Sequence, residues 1–179
     1  MSKARIIKYC LFAMLTAVLV FSTSVSASGT ISEVSRVQYF TIQNNNVCTT
    51  ANHATTFYFN LNNISNNSVD ITVYLYNDLG DEVTRVGSMG GAMGEYKAST
   101  FTPGTMFTLD GKSTVHYYTG FGKSAGECSD IPAYGKIVVH SDSGLIMANG
   151  EIKGVDLSTS VVYRILTQSQ VIVNGANPF

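Results

Sequence analysis

Apolar and polar positions alternate with a period of two along most of the chain after residue 27, a pattern typical of half-buried β-strands. In Val69–Tyr76, for example, Val69, Ile71, Val73 and Leu75 share one face. No segment of this region shows a convincing helical period. The strands predicted on this basis are Val34–Gln43, Thr55–Asn62, Val69–Tyr76, Thr105–Leu109, Ser113–Thr119, Lys136–His140, Leu145–Lys153, Val161–Thr167 and Gln170–Asn174.

Polar turn sequences separate the predicted strands. Asn62–Ser68 and Asn77–Asp81 are rich in Asn, Asp and Ser, the residues that favour turns. The pair Asp110-Gly111 predicts a hairpin between the fourth and fifth strands, and Ser141–Gly144 predicts a turn between the sixth and seventh. We therefore expect an all-β domain, an antiparallel β-sandwich of eight or nine strands.

A glycine-rich segment interrupts the strand pattern. Residues 85–104 include Gly87–Gly94, which reads GSMGGAMG. Glycine contributes no side chain to a sheet and loses the most backbone entropy on folding, so this segment predicts a long irregular loop. Such loops are often functional, and Met89, Met93 and Tyr96 are candidate contacts with a partner. A loop without a partner is the alternative.

Residues 1–27 have the organisation of a secretory signal peptide. Two lysines and one arginine precede the apolar run Tyr9–Phe21, and small residues lead to a predicted cleavage site after Ala27. The apolar run is shorter than the roughly 20 residues that span a bilayer, so we expect no membrane span in the mature form. The mature chain, 28–179, is long enough for one domain with a core.

Cleavage would change the charge and the cysteine content of the chain. The precursor has 11 basic and 12 acidic residues, and its first 27 residues hold three of the basic ones and no acidic one. The mature chain is therefore mildly acidic, which argues against nucleic acid as a partner. Cys48 and Cys128 remain, and an oxidising compartment favours a disulfide between them. Free thiols or bonds between subunits are the alternatives.

Motifs for catalysis or metal binding are incomplete. Gly122–Gly126 matches G-x-S-x-G, but that motif needs a following helix on a large parallel sheet, and neither is predicted. His53, His116 and His140 lack the short spacing of metal ligands. The acidic turn Asn77–Glu82 lacks the 12-residue calcium-loop pattern, so calcium is a weak alternative there. We predict no enzyme activity, no cofactor and no metal.

Tyrosines are the remaining candidate for a binding surface. The chain has ten tyrosines and no tryptophan. Tyr74, Tyr76 and Tyr117 could form an aromatic face for a sugar or a protein, although aromatic side chains also pack as cross-strand pairs. Since stacking on sugars usually uses tryptophan, its absence favours a protein.

The succession of strands and turns resembles a known class of domain. Asn67–Gly80 is followed by Phe107–Tyr117, then by Tyr134–Asp142 and Leu145–Ala148. This order resembles bacterial secreted immunoglobulin-like or fibronectin-like β-sandwiches over residues 55–152, and it is loosely similar to the sensory rhodopsin transducer family. The signal peptide, the glycine-rich loop and the cysteine pair depart from that pattern. The resemblance implies a small, often oligomeric sandwich that binds rather than catalyses, and it transfers no functional residue.

These observations together predict a secreted, non-enzymatic structural or interaction protein. It would be located in the periplasm, outside the cell or on the cell surface. It would associate with itself or bind an extracellular or envelope protein, for which exposed β-edges are a ready means. A glycan or small-ligand binding module is one alternative, and a small outer-membrane β-barrel is another.

Overall fold

The computed structural model describes residues 35–43, 48–49, 52–85, 99–122, 127–156 and 164–179, all within the compact unit Glu33–Phe179. The predicted signal peptide lies outside these residues. The strands of the described part are β1 (Arg36–Thr41), β2 (His53–Asn63), β3 (Val69–Tyr76), β4 (Phe107–Leu109), β5 (Thr114–Phe121), β6 (Tyr134–Val139), β7 (Ile146–Asp156) and β8 (Arg164–Ile172). Short 3-10 turns occupy Cys128–Asp130 and Asn174–Ala176. The prediction of an all-β chain is confirmed.

The eight strands form two antiparallel sheets of four strands. The first sheet has the order β1-β6-β3-β4, and the second has the order β5-β2-β7-β8. Neighbouring strands run antiparallel throughout both sheets. Their inward faces share one hydrophobic core, which confirms the predicted antiparallel β-sandwich.

Alternation within each strand builds this core. In β3, Val69, Ile71, Val73 and Leu75 are buried, as the sequence pattern predicts. The two sheets meet through aromatic rings as well as aliphatic side chains. The largest fully buried side chains are Tyr117, Phe57, Phe59, Phe121, Leu61, Ile71, Leu75, Leu109, Ile137 and Ile146. Each such side chain contributes about 1.5–3 kcal/mol by leaving water.

The predicted hairpin around Asp110-Gly111 is wrong. The chain does turn there, but β4 pairs with β3 in the first sheet whereas β5 pairs with β2 in the second. The turn is fixed by the opposite polar turn rather than by strand pairing across it. The Lys112 amide donates to the Ser65 carbonyl over 3.0 Å, and a side chain on Gly111 would collide with the backbone of Asn66.

Over the described residues the last two predicted strands are joined in one strand, Arg164–Ile172, which is the second correction. The sequence pattern predicts two strands here, Val161–Thr167 and Gln170–Asn174, with Gln168 and Ser169 between them. In the structure both residues pair with β7 inside β8, opposite Lys153 and Ile152. Polar side chains are tolerated there because β8 is the edge strand of its sheet.

The predicted disulfide is confirmed. Cys48 and Cys128 are bonded, with Cα atoms 5.7 Å apart. The bond connects the segment between β1 and β2 to the turn before β6. Gly122 packs against this region, since a Cβ there would lie 2.8 Å from Cys48 Sγ and 2.6 Å from the His53 carbonyl oxygen. Its φ of +82° is also unfavourable for other residues.

Candidate functional site

Four tyrosines and one lysine meet on the outer face of the first sheet. Because Val73 and Leu75 point inward in β3, Tyr74 and Tyr76 point outward. Strand register extends this pattern across β6 and β1 in two rows. One row contains Tyr39, Lys136 and Tyr74, and the next contains Thr41, Tyr134 and Tyr76. We call Tyr39, Tyr74, Tyr76, Tyr134 and Lys136 the tyrosine face.

Contacts within the tyrosine face hold most of its side chains in place. The rings of Tyr76 and Tyr134 stack with centroids 5.1 Å apart and planes inclined by 20°. Lys136 Nζ lies 4.6 Å from the centre of the Tyr74 ring, a cation–π contact. Tyr39 is 68% exposed and Tyr134 is 40% exposed. The face thus presents large, partly ordered rings to solvent, at low further cost in side-chain entropy on binding.

The structure brings together two of the three predicted aromatic residues. Tyr74 and Tyr76 belong to the tyrosine face, but Tyr117 is fully buried in the core and is therefore not part of it. The Tyr117 hydroxyl donates to the Arg85 carbonyl over 2.6 Å. Sequence reasoning missed Tyr39 and Tyr134. Their strands were predicted approximately, but the register that places them beside Tyr74 and Tyr76 was not.

Burial raises the pKa of Tyr117 to about 12, whereas Thr119 and Arg85 act in the opposite direction. The unfolded phenol titrates near 10, so the folded state retains this proton at higher pH. Its contribution to stability is complete below pH 10 and is lost as the pH rises toward 12.

We expect the native protein to lose about 2–3 kcal/mol of stability between pH 10 and pH 12 through Tyr117. Y117F should lose less over the same range, although it is less stable at neutral pH because the Arg85 carbonyl loses its donor. Urea unfolding at a series of pH values measures both effects. Equal losses in the two proteins would contradict this assignment.

The outer face of the second sheet is polar instead. Asn60 Nδ2 donates to Asn149 Oδ1 over 3.3 Å across β2 and β7, and Thr114 Oγ1 donates to Asn62 Oδ1 over 2.8 Å. Tyr58 and Tyr118 lie on this face with ring centroids 6.1 Å apart. These two side-chain hydrogen bonds are made within the sheet, and the face serves as a reference surface for the tyrosine face.

The acidic turn after β3 is organised by a buried amide. Asn77 Oδ1 accepts hydrogen bonds from the amides of Leu79 and Asp81, and its Nδ2 donates to the Ser129 carbonyl over 3.2 Å. A surface pocket of about 410 Å³ lies between residues 81–85 and Asp130. Within the described ranges, no three His, Cys, Asp or Glu side chains are placed to hold a metal ion.

The other predicted features are separate from the tyrosine face or outside the described residues. Met89, Met93 and Tyr96 lie outside them, as do residues 123–126 of the G-x-S-x-G match. The end of the predicted 85–104 loop is packed, because Phe101 is buried against the core. His140 contacts Thr72 Oγ1 at 2.9 Å. No helix in the described part is long and apolar enough to cross a membrane.

Comparison with known protein families, curated proteins and solved structures finds no match to this chain.

Proposed function

We propose that this chain is an exported, non-enzymatic interaction protein that binds a folded protein through the tyrosine face, with a second copy of itself as a partner. The observation that carries the proposal is the clustering of four of the seven described tyrosines on one outer face. Tyrosine is enriched in protein interfaces because it combines a large apolar ring with a hydrogen-bonding hydroxyl. Val37, which is 44% exposed, extends the same face along β1.

Two further observations support the location and the class. The first 27 residues have the pattern of a signal peptide, and the Cys48–Cys128 bond is of a kind that persists in oxidising compartments. The tyrosine face is the outer surface of a sheet, and its residues do not line the pocket between residues 81–85 and Asp130. A surface of this kind is better suited to contact with another folded protein than to the enclosure of a small substrate.

Removing two rings from the tyrosine face should weaken self-association. We expect Y39S combined with Y134S to raise the concentration at which assemblies form by at least about tenfold, because exposed aromatic rings dominate such contacts. The measurement is sedimentation velocity over a range of concentrations, on protein exported and purified from the full-length precursor. Y58S is the matched control, since Tyr58 is a partly exposed tyrosine on the opposite sheet.

Two outcomes of this experiment would count against the proposal. One is a native protein that stays monomeric at every concentration, and the other is equal weakening by Y58S. Circular dichroism spectra and melting curves of each variant show whether the fold is retained.

Glycan binding is the second candidate, and the same clustering of tyrosines favours it, because rings on one sheet face can stack on sugar rings. Since the chain has no tryptophan, its intrinsic fluorescence comes from tyrosine. A monomeric native protein whose fluorescence changes with soluble xylan, laminarin or peptidoglycan fragments, and loses that response in the Y39S/Y134S variant, would select this candidate over the first.

A further inference from the structure

Two of the four sheet edges are shortened or covered within the part of the chain that the structure describes, and a third has one of its outward groups bonded. The edge of β5 is bonded by residues 99–100, with the Thr100 amide donating to the His116 carbonyl over 2.8 Å. Strand β4 has only three residues. On β1, Gln38 Nε2 donates to the Tyr39 carbonyl over 2.9 Å. The Ile42 amide donates to the carbonyl of residue 133, so the backbone groups of even-numbered β1 residues point toward β6. Those of odd-numbered residues point away from β6, and the Tyr39 carbonyl therefore lies on the outer edge.

The fourth edge, β8, is the longest and has nine residues. The Ile64 amide donates to the Leu145 carbonyl, so the backbone groups of Leu145 point toward β2. Because this direction alternates along a strand, the backbone groups of odd-numbered β7 residues point toward β2 and those of even-numbered residues point toward β8. The register then directs the odd-numbered residues 167–171 of β8 toward β7. The backbone N–H and C=O groups of Gln168, Gln170 and Ile172 consequently point away from the sheet.

The side chains of Thr167–Ile172 in β8 add no protection against pairing. Natural edge strands usually carry a lysine, a proline or an inward charge that prevents another strand from adding. Thr167–Ile172 contains no charged residue, no proline and no glycine. Ile165, Leu166 and Ile172 are 46%, 37% and 59% exposed. The bulge near Gly154 affects the start of the strand and leaves Thr167–Ile172 regular.

From these features we infer that β8 pairs in antiparallel fashion with β8 of a second copy. The second sheet of one copy and the second sheet of the other then form one continuous sheet. One register pairs all the outward N–H and C=O groups of Thr167–Ile172. In this register Gln170 of one copy lies opposite Gln170 of the other, and Gln168 lies opposite Ile172 of the other copy. A two-fold axis through Gln170 relates the copies. Because Thr167–Ile172 is uncharged, this axis places no like charges opposite each other.

This inference rests on the self-association part of the proposed function but uses a different surface. The tyrosine face lies on the outer side of the first sheet, whereas β8 is an edge of the second. Variants of the two surfaces can therefore be tested separately and in combination.

The test uses Q170P, Q170K and Q170E in protein exported and purified from the full precursor. The amide of Gln170 points away from β7, so proline removes an outward donor without removing a bond within the sheet. We expect each variant alone to weaken association by at least about tenfold in sedimentation velocity, because pairing bonds are lost or like charges meet on the axis. An equimolar mixture of Q170K and Q170E should restore assembly, since opposite charges then face each other.

T114K is the matched control, because Thr114 is an exposed position of β5 at the other edge of the same sheet. It should assemble like the native protein. Q170P combined with Y39S and Y134S should be monomeric.

The outcomes separate this inference from the proposed function. If the Gln170 variants assemble like the native protein, or if mixing Q170K with Q170E restores nothing, β8 pairing is rejected and the tyrosine face is unaffected. If they weaken assembly while Y39S with Y134S has no effect, β8 pairing is retained and the tyrosine face is rejected as a self-contact. A native protein that is monomeric at all concentrations rejects both self-contacts.

Discussion

Replacing both bonded cysteines, C48S together with C128S, should lower the free energy of unfolding by about 4–5 kcal/mol. The bond closes a loop with a sequence separation of 80 residues, and that loop includes β2 to β5. In the chain-entropy model a crosslink over such a distance removes many conformations from the unfolded state. The loss is a large share of the total stability of a domain of this size.

The packing around the bond adds to this expectation. Cys48 is partly buried against the core, and Gly122 passes close to its sulfur. Two serines would place hydroxyls where sulfur now contacts apolar groups, so the double variant loses packing as well as the crosslink.

Urea unfolding followed by circular dichroism measures the effect. Reductant should destabilise the native protein toward the level of the double variant and should leave the double variant unchanged. A loss below about 1 kcal/mol would show that the crosslink does not limit the unfolded state as the chain-entropy model requires.

The fold was predictable where a local pattern determined it. Strand β3 was predicted with its observed bounds because alternation is strict from Val69 to Tyr76 and polar turns flank it on both sides. The Asp110-Gly111 turn was also located correctly. Its partner strands were not, because turn chemistry reverses the chain direction without specifying which strand each arm joins. That choice depends on distant contacts, including those between the 110–113 turn and residues 63–67.

The candidate site was predictable to the same extent. Alternation with buried neighbours places Tyr74 and Tyr76 outward, and this required only the local sequence. Tyr117 was misassigned, although its spacing from Phe121 in β5 places both on one face, and that face is inward. Tyr134 joins the site through the register of β6 against β3, and Tyr39 joins it through the register of β1 against β6. These registers depend on contacts between residues about 60 and about 100 positions apart.

Asn63 shows the same dependence on distant contacts, and its replacement is the second large effect that we expect. The residue is 1% exposed, and both the nitrogen and the oxygen of its side-chain amide form hydrogen bonds. Its Nδ2 donates to the carbonyls of Asn67 over 2.7 Å and Leu109 over 3.1 Å, and its Oδ1 accepts from the amide and hydroxyl of Ser65. It therefore joins the end of β2 to the end of β4 in the other sheet.

N63A should lower the free energy of unfolding by about 3 kcal/mol, because it leaves buried partners such as the Leu109 carbonyl without a bond. N66A is the matched control. Asn66 is an exposed asparagine of the same turn, and its replacement should change stability by less than about 0.5 kcal/mol. Urea unfolding of the two variants gives the comparison directly.

N63D tests whether the two donors of Asn63 are the important groups. A carboxylate has the same shape, but it would direct oxygen at the Asn67 and Leu109 carbonyls, which repel it and raise the pKa of the new acid in the folded state. The sign of the pH dependence follows, since an acid with a raised folded pKa stabilises the fold most when it is protonated. N63D should therefore come closest to native stability below about pH 4 and lose stability as the pH rises toward neutrality. Native-like stability of N63D at every pH between 4 and 7 would show that the shape of the side chain, rather than its donors, holds the two turns together.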